Sequence, residues 1–203
     1  MSAYPIMLDG ASIDAVVIGG GPVAERKVRA LVEAGARVRV VAPSVTEGIE
    51  MVAKSPGQVR VTLAEFDASQ LDGATLVFAA TNNATVNAQV AQHAKARGLA
   101  VNVADAPDAG TFVTPAVHRS GDIVVAVTAG GVPAVAARIR DAVASSIGEQ
   151  YGVAVAQLAA LRRSLIDRGD RERWHEASAA IVSADFNEAV KAETISARID
   201  AWR

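Results

Sequence analysis

The sequence predicts an α/β protein: an N-terminal parallel sheet, then a small β–β–α element, then a charged helical region. Three observations predict it. Ala15-Val16-Val17-Ile18 runs straight into Gly19-Gly20-Gly21, and a helical pattern starts at once. Short apolar runs then alternate with helical patterns as far as Val103, as parallel strands joined by helices require. From Phe112 the alternation stops, and two β-rich runs precede a second glycine turn and a helix.

In order, residues 1–10 are a lead-in, with Pro5-Ile6-Met7-Leu8 extended and Asp9-Gly10 turning. The helix after the glycines is expected over 22–34, with Ala24, Val28, Leu31 and Val32 on one face. Strands follow at 38–42, stopped by Pro43, and at 59–63 and 75–80. Asn82 or Asn83 caps a helix carrying Val86, Val90 and Ala94, and 99–103 is another strand. Two further strands are expected at 112–117 and 123–127, joined by a polar turn from His118 to Asp122. Ala129-Gly130-Gly131 opens a helix over 133–146. Strands outside the main sheet need a partner, which suggests a homodimer contact. The remainder is helical, with Leu158, Leu161 and Leu165 as its apolar stripe and a break at Gly169-Asp170. Three regions result: 1–111 for nucleotide binding, 112–148 for dimerisation and the substrate cleft, and 149–203 as a helical domain.

The chain has 203 residues, 51% apolar, with a net charge of −2. No basic field points to nucleic acid. There are no cysteines, which removes disulfides, thiolate nucleophiles and cysteine-held zinc or iron–sulfur clusters. Residues 1–8 lack a basic start and a long apolar run, so no signal peptide is expected. No charge-free segment reaches membrane-spanning length. A cytoplasmic protein is the expectation.

Gly19-x-Gly21-x-x-Ala24 matches the dinucleotide fingerprint of Rossmann-like sheets. Gly19 permits the sharp turn, Gly21 lets backbone approach a pyrophosphate, and Ala24 lets helix pack on strand. The helix N-terminus, with Pro22 as first residue, then faces the phosphates. A strand–helix turn that binds nothing has the same spacing; the strand before and helix after favour the nucleotide. The second strand lacks the usual ribose-binding acid and ends Ala42-Pro43-Ser44. The Ser44 hydroxyl is the substitute. Arg37 and Arg39 are either partners of a 2′-phosphate or a solvated strand edge. Ligands sit at the carboxyl ends of such strands, which groups Gly21, Pro43, Thr81 and Asp105 around one crevice. Asp105 is either a proton acceptor there or a turn acid before Pro107. His118, in its polar turn, is the other candidate base or simply exposed; His93 and His175 read as structural or surface residues.

An ordered set of segments carries a family resemblance: Gly19-Gly20-Gly21-Pro22-Val23-Ala24-Glu25-Arg26-Lys27, Leu31-Val32-Glu33-Ala34-Gly35, Val41-Ala42-Pro43, Ala79-Ala80-Thr81-Asn82-Asn83, Val101-Asn102-Val103-Ala104-Asp105-Ala106-Pro107 and Phe112-Val113-Thr114-Pro115-Ala116. The chain closely resembles the precorrin-2 dehydrogenase module of siroheme synthases, collinearly from residue 4 to about 148. The resemblance implies NAD-dependent oxidation of precorrin-2 to sirohydrochlorin and, in many members, insertion of ferrous ion by the same site. It implies cofactor contacts at Gly21-Pro22-Val23, with Gly19 in the turn, at Pro43-Ser44 and at Thr81. It makes Asp105 the key catalytic residue and a candidate metal contact. A missing ribose acid is normal in the family. Two departures stand out: Ala129 replaces the usual serine before Gly130-Gly131, and Val132-Pro133-Ala134 replaces Ser-Pro.

The polycarboxylate substrate needs cationic or helix-N-terminal anchors. Arg119, Arg138 and Arg140 are candidates, with the turn at Gly130 and Gly131; dimer salt bridges are the other reading of these arginines. Ferrous or cobaltous ion is a further candidate substrate. Two other functions fit the fingerprint. A non-catalytic NAD-sensing module would share the loop, but has no basic helix or membrane segment to pass a signal on. A small-alcohol dehydrogenase fits poorly, because neither Tyr4 nor Tyr151 has a lysine four residues on.

Overall fold

A computed structural model describes residues 3–54 and 57–203. The chain separates into two compact units, Met1–Thr114 and Pro115–Arg203.

In the first unit β1 (Asp14–Ile18), β2 (Arg37–Ala42), β3 (Val59–Leu63), β4 (Leu76–Ala79) and β5 (Ala100–Val103) form one sheet. The order is β3-β2-β1-β4-β5 and every pairing is parallel. Helices α1 (Pro22–Glu33), α2 (Glu47–Ala53) and α3 (Ala84–Ala96) cover it. The period-two alternation of strands divides the side chains between two cores. Ala15, Val17, Val38, Val40 and Phe78 pack with Ala24, Val28 and Leu31 of α1 and Ile49 of α2. Val16, Ile18, Val77, Ala79, Val101 and Val103 pack with Val90, Ala91 and Ala94 of α3. Burial on both faces explains why β1 and β4 read as continuous apolar runs. Each fully buried Val or Leu contributes about 1.5–3 kcal/mol. Because β1 lies between β2 and β4, the strand order reverses there, and a crevice opens at its carboxyl end.

Some boundaries differ from the sequence expectation. The apolar run at 75–80 forms only the four-residue β4, since Thr75 and Ala80 bond to the ends of β1 from outside the ladder. Helix α2 escapes sequence reading because it is seven residues long and buries only Ile49. Thr46 caps it through a bond from the Ile49 N–H.

Residues 110–114 run along the free side of β5. The Thr111 N–H donates to the Val101 carbonyl at 2.7 Å, and the Val101 N–H donates to Thr111 Oγ1 at 2.8 Å. The buried Asn102 amide donates to the Phe112 carbonyl at 3.0 Å. The Phe112 ring meets Phe78 edge-on, centroids 5.4 Å apart. Lys27 Nζ donates to Thr114 Oγ1 at 2.6 Å. Burial, then repulsion from Arg26, holds the Lys27 ammonium below the ordinary lysine range.

The second unit begins with β6 (Ala116–Ser120) and β7 (Ile123–Val127), an antiparallel pair reversed at Gly121-Asp122. The strand expected at 112–117 therefore starts later: Phe112 is apolar because it packs on Phe78, not because it pairs in a ladder. The polar turn expected from His118 shrinks to two residues, and His118 itself lies within β6, paired with Val125. Helix α4 (Pro133–Ala144) and α5 (Glu149–Asp167) pack on the hairpin. Helices α6 (Arg171–Ile181), α7 (Phe186–Lys191) and α8 (Ile195–Asp200) complete the unit. Its core gathers Leu161, Leu165, Ile181, Val190, Ile195 and Ile199. Asp170 caps α6 after the Gly169 break, accepting from the Arg173 N–H. Asp185 and Arg198 form an ion pair at 2.6 Å.

Candidate functional site

The glycine turn lies between two other strand ends. Gly19 has φ +132°, and a Cβ there would stand 2.3 Å from the Ala80 carbonyl oxygen. Only glycine fits that conformation and that gap. Gly21 differs: it is the N-cap of α1, and a Cβ there would meet none of the described residues within 4 Å. The first turn of α1 thus starts in open space, with Pro22 at its head and Val23 exposed. Its unbonded N–H groups and positive dipole end form an anion seat. Glu25, the acid of that turn, is engaged elsewhere. Thr46 and then Arg29 bond its carboxylate and hold it below the usual glutamate range.

At the end of β2, Pro43 and Ser44 are exposed. A Cβ on Gly20 would stand 1.9 Å from the Ser44 carbonyl oxygen, so this loop borders the glycine turn. The nearby arginines do not serve it. Arg37 lies at the amino end of β2 in a two-bond pair with Asp14. Arg39 donates to the carbonyls of Gln70 and Asp72. Their expected alternative use against a 2′-phosphate gives way to these structural bonds.

Thr81 and Asp105 follow β4 and β5, and Asn87 joins them. Asn87 is 1% exposed on the inner face of α3. Its Oδ1 accepts from the Thr81 N–H at 3.1 Å and from Thr81 Oγ1 at 2.8 Å. Its Nδ2 donates to the Thr81 carbonyl at 3.1 Å and to Asp105 Oδ1 at 3.0 Å. All four bonding positions of the amide are filled. Removing the partners of such a buried amide costs about 1–3 kcal/mol. Asp105 itself is exposed, so one carboxylate oxygen is tethered and the group still opens to solvent.

Except for His93, the other expected residues lie in the second unit. Gly130 and Gly131 have φ +54° and +80° and space around them. Arg119 on β6 and Arg138 on α4 are exposed. Arg140 is paired with Asp141 at 2.6 Å. His118 is half-buried, and its Nε2 is buried with no hydrogen-bond partner among the described residues, contrary to an exposed turn histidine. His93 is exposed on α3, its ring 6.1 Å from Phe66. Among the described residues no three His, Asp or Glu side chains gather to hold a metal ion.

A family model described as "Putative NAD(P)-binding" matches residues 6–116. The chain belongs to that family. Siroheme synthase of Methylobacillus flagellatus is 39% identical over 171 residues, covering 83% of this chain and 36% of that protein. Siroheme synthase of Pseudomonas entomophila is 45% identical over 139 residues, 68% of this chain and 30% of that protein. The chain spans about a third of the length of these curated relatives. Among solved structures, SirC, a precorrin-2 dehydrogenase, superposes with a TM-score of 0.77 at 28% identity, over 98% of this chain and all of that one.

The residues present fit a nicotinamide dinucleotide, the cofactor of this NAD(P)-binding family. The open space at Gly21 is the test: it leaves the backbone of α1 bare where a pyrophosphate needs it. Sequence reasoning missed Asn87 and Asn102. The available signal was polarity out of place: Asn87 shares the stripe of Val90, Ala91 and Ala94, and Asn102 stands between Val101 and Val103. A buried amide in an apolar row has partners to find.

Proposed function

We propose that this chain is an NAD-dependent dehydrogenase that oxidises precorrin-2 to sirohydrochlorin, on the way to siroheme. The observation that carries the proposal is the carboxylate of Asp105, tethered through Asn87 to Thr81 beside the open glycine turn. A dinucleotide sensor needs no such acid. The full-length superposition on SirC, a precorrin-2 dehydrogenase, supports the same reading.

The division of labour follows from the residues. The turn at Gly19 and Gly21 and the N-terminus at Pro22-Val23 hold the pyrophosphate. Pro43 and Ser44 border the adenosine ribose, with the Ser44 hydroxyl as its bonding group. The cofactor is NAD rather than NADP, because Arg37 and Arg39 are committed to Asp14 and to backbone carbonyls. Bound NAD supplies the hydride acceptor. Thr81 lines the crevice on the nicotinamide side. Asp105 takes the proton that the tetrapyrrole loses with its hydride, at the oxygen that Asn87 leaves open. Within the second unit, Arg119, Arg138 and the α4 N-terminus after Gly130-Gly131 are groups of the kind that bind carboxylates. The same Asp105 carboxylate guides ferrous or cobaltous ion, as substrate, toward sirohydrochlorin, since oxygen donors suit such a cation. The second unit pairs two copies through α4, whose Val135, Ile139 and Val143, with Val132 at the N-cap, are exposed at helical spacing. A cytoplasmic location fits the supply of NAD.

The test is single-turnover NADH formation from precorrin-2 at matched NAD saturation. Asp105→Ala should slow it roughly a hundredfold, the scale of a lost acid–base group. His118→Ala should be much milder. A wild-type rate in Asp105→Ala with a dead His118→Ala would move the base to β6.

A further inference from the structure

We propose that Asn87 is a positioning residue for the dehydrogenation: it fixes the Asp105 carboxylate at a set distance from the Thr81 turn that borders the cofactor. The inference rests on the functional reading above. Its evidence is the geometry of one amide. Asp105 is exposed on a loop, and a carboxylate in that situation samples several rotamers. Asn87 Nδ2 reaches it at 3.0 Å and holds Oδ1. The amide is itself immobile, because it is 1% exposed and its Oδ1 takes two bonds from Thr81 while Nδ2 returns one to the Thr81 carbonyl. Both groups are therefore joined to α3 through one amide. Thr81 Oγ1 also accepts from the Asn83 N–H, which ties the turn to the cap of the same helix. The consequence is a fixed spacing between the face that orients the nicotinamide and the oxygen that takes the proton. Rates depend steeply on such spacing.

Asn87→Asp keeps the two Oδ1 bonds and removes the two Nδ2 bonds. It is isosteric and keeps an oxygen for the Thr81 N–H and Oγ1. It replaces Nδ2 by a second oxygen, so the bond to the Thr81 carbonyl is lost and the Asp105 carboxylate is released or repelled. The expected result is a fall in kcat of roughly 10–100-fold, the scale seen on losing a group that orients a reacting ligand. The KM for precorrin-2 and the Kd for NAD, by calorimetry, should stay within about threefold. The readout that a merely structural role would not produce is a double-mutant cycle. In an Asp105→Ala background, adding Asn87→Asp should cost less than about twofold, because the group it positions is gone. Asn87→Ser, which is smaller and lacks the reach to Asp105, should show the same split of kcat from KM and covers the case in which the buried carboxylate does not fold. An unchanged kcat in the folded variants beside a slow Asp105→Ala overturns the role of Asn87 alone. Equal losses in both backgrounds do the same, since Asn87 then acts independently of Asp105. A wild-type rate in Asp105→Ala overturns the choice of base, and the role of Asn87 with it.

Discussion

Replacing Gly21 by aspartate separates binding from folding. Gly21 is the N-cap of α1 with φ −83° and ψ −174°, a conformation open to any residue. A Cβ there meets none of the described residues within 4 Å, and aspartate is among the best N-caps. Stability should move by only a few tenths of a kcal/mol, which keeps Tm within about 2 °C for a chain of this size. The new carboxylate would, however, take the helix N–H groups that the pyrophosphate needs. Two lost charge-assisted bonds at about 1.5–3 kcal/mol each amount to about 3–6 kcal/mol. That corresponds to a loss of NAD affinity of roughly a hundredfold or more, before charge repulsion is added. Calorimetric titration and a thermal melt of Gly21→Asp read the two effects side by side. Gly19→Ala is the control with the opposite pattern. Its φ of +132° and the Ala80 oxygen 2.3 Å from the added carbon make it a folding lesion of about 2–5 kcal/mol. A folded Gly21→Asp that binds NAD within about threefold of wild type would refute the assignment of the pyrophosphate seat.

Two further outcomes are expected. Ile139→Glu, on the exposed stripe of α4, should convert the proposed dimer to a monomer in light scattering without lowering Tm; a wild-type molecular mass would remove α4 from the proposed interface. Asp185 is held well below the usual aspartate range, first by its bond from Arg198 and then by that from Ser183. A depressed folded pKa gives stability that is present above the unfolded value, near 3.8, and lost as pH falls below it. Asp185→Asn should therefore flatten the decline of Tm between about pH 5 and 2, and an unchanged acid limb would contradict the ion pair's contribution.

The first unit was legible because its physics is local. Strands buried on both faces announce themselves as apolar runs, and the turn at Gly19 tolerates no side chain, so composition alone marks it. The site was legible in part. Asp105 and Thr81 could be placed at strand ends by alternation, but Asn87 could not be assigned to them. It lies 18 residues from Asp105, and only the adjacency of β4 and β5 brings the two within 3.0 Å. The hairpin starts later than its apolar run predicts for a related reason. Phe112 and Val113 carry β-like side chains, yet this stretch satisfies its backbone against Val101 and Asn102 rather than in a ladder. Polarity predicts a turn at His118, while β6 holds it in register with Val125.

The strap over β5 bears on the protein's behaviour in a crowded cell. An open parallel sheet has two raw margins, and each invites a foreign strand. At β5 the outward N–H and C=O of Val101 are already occupied by Thr111, and the strap is moored by Asn102, Phe78 and Lys27. At the opposite margin β3 shows exposed Arg60, Thr62 and Leu63, with charge as the deterrent at one of these positions. The same five residues that carry the chain out of the first unit therefore also act as its hem, and a chain cut before Thr111 would uncover an edge prone to self-association.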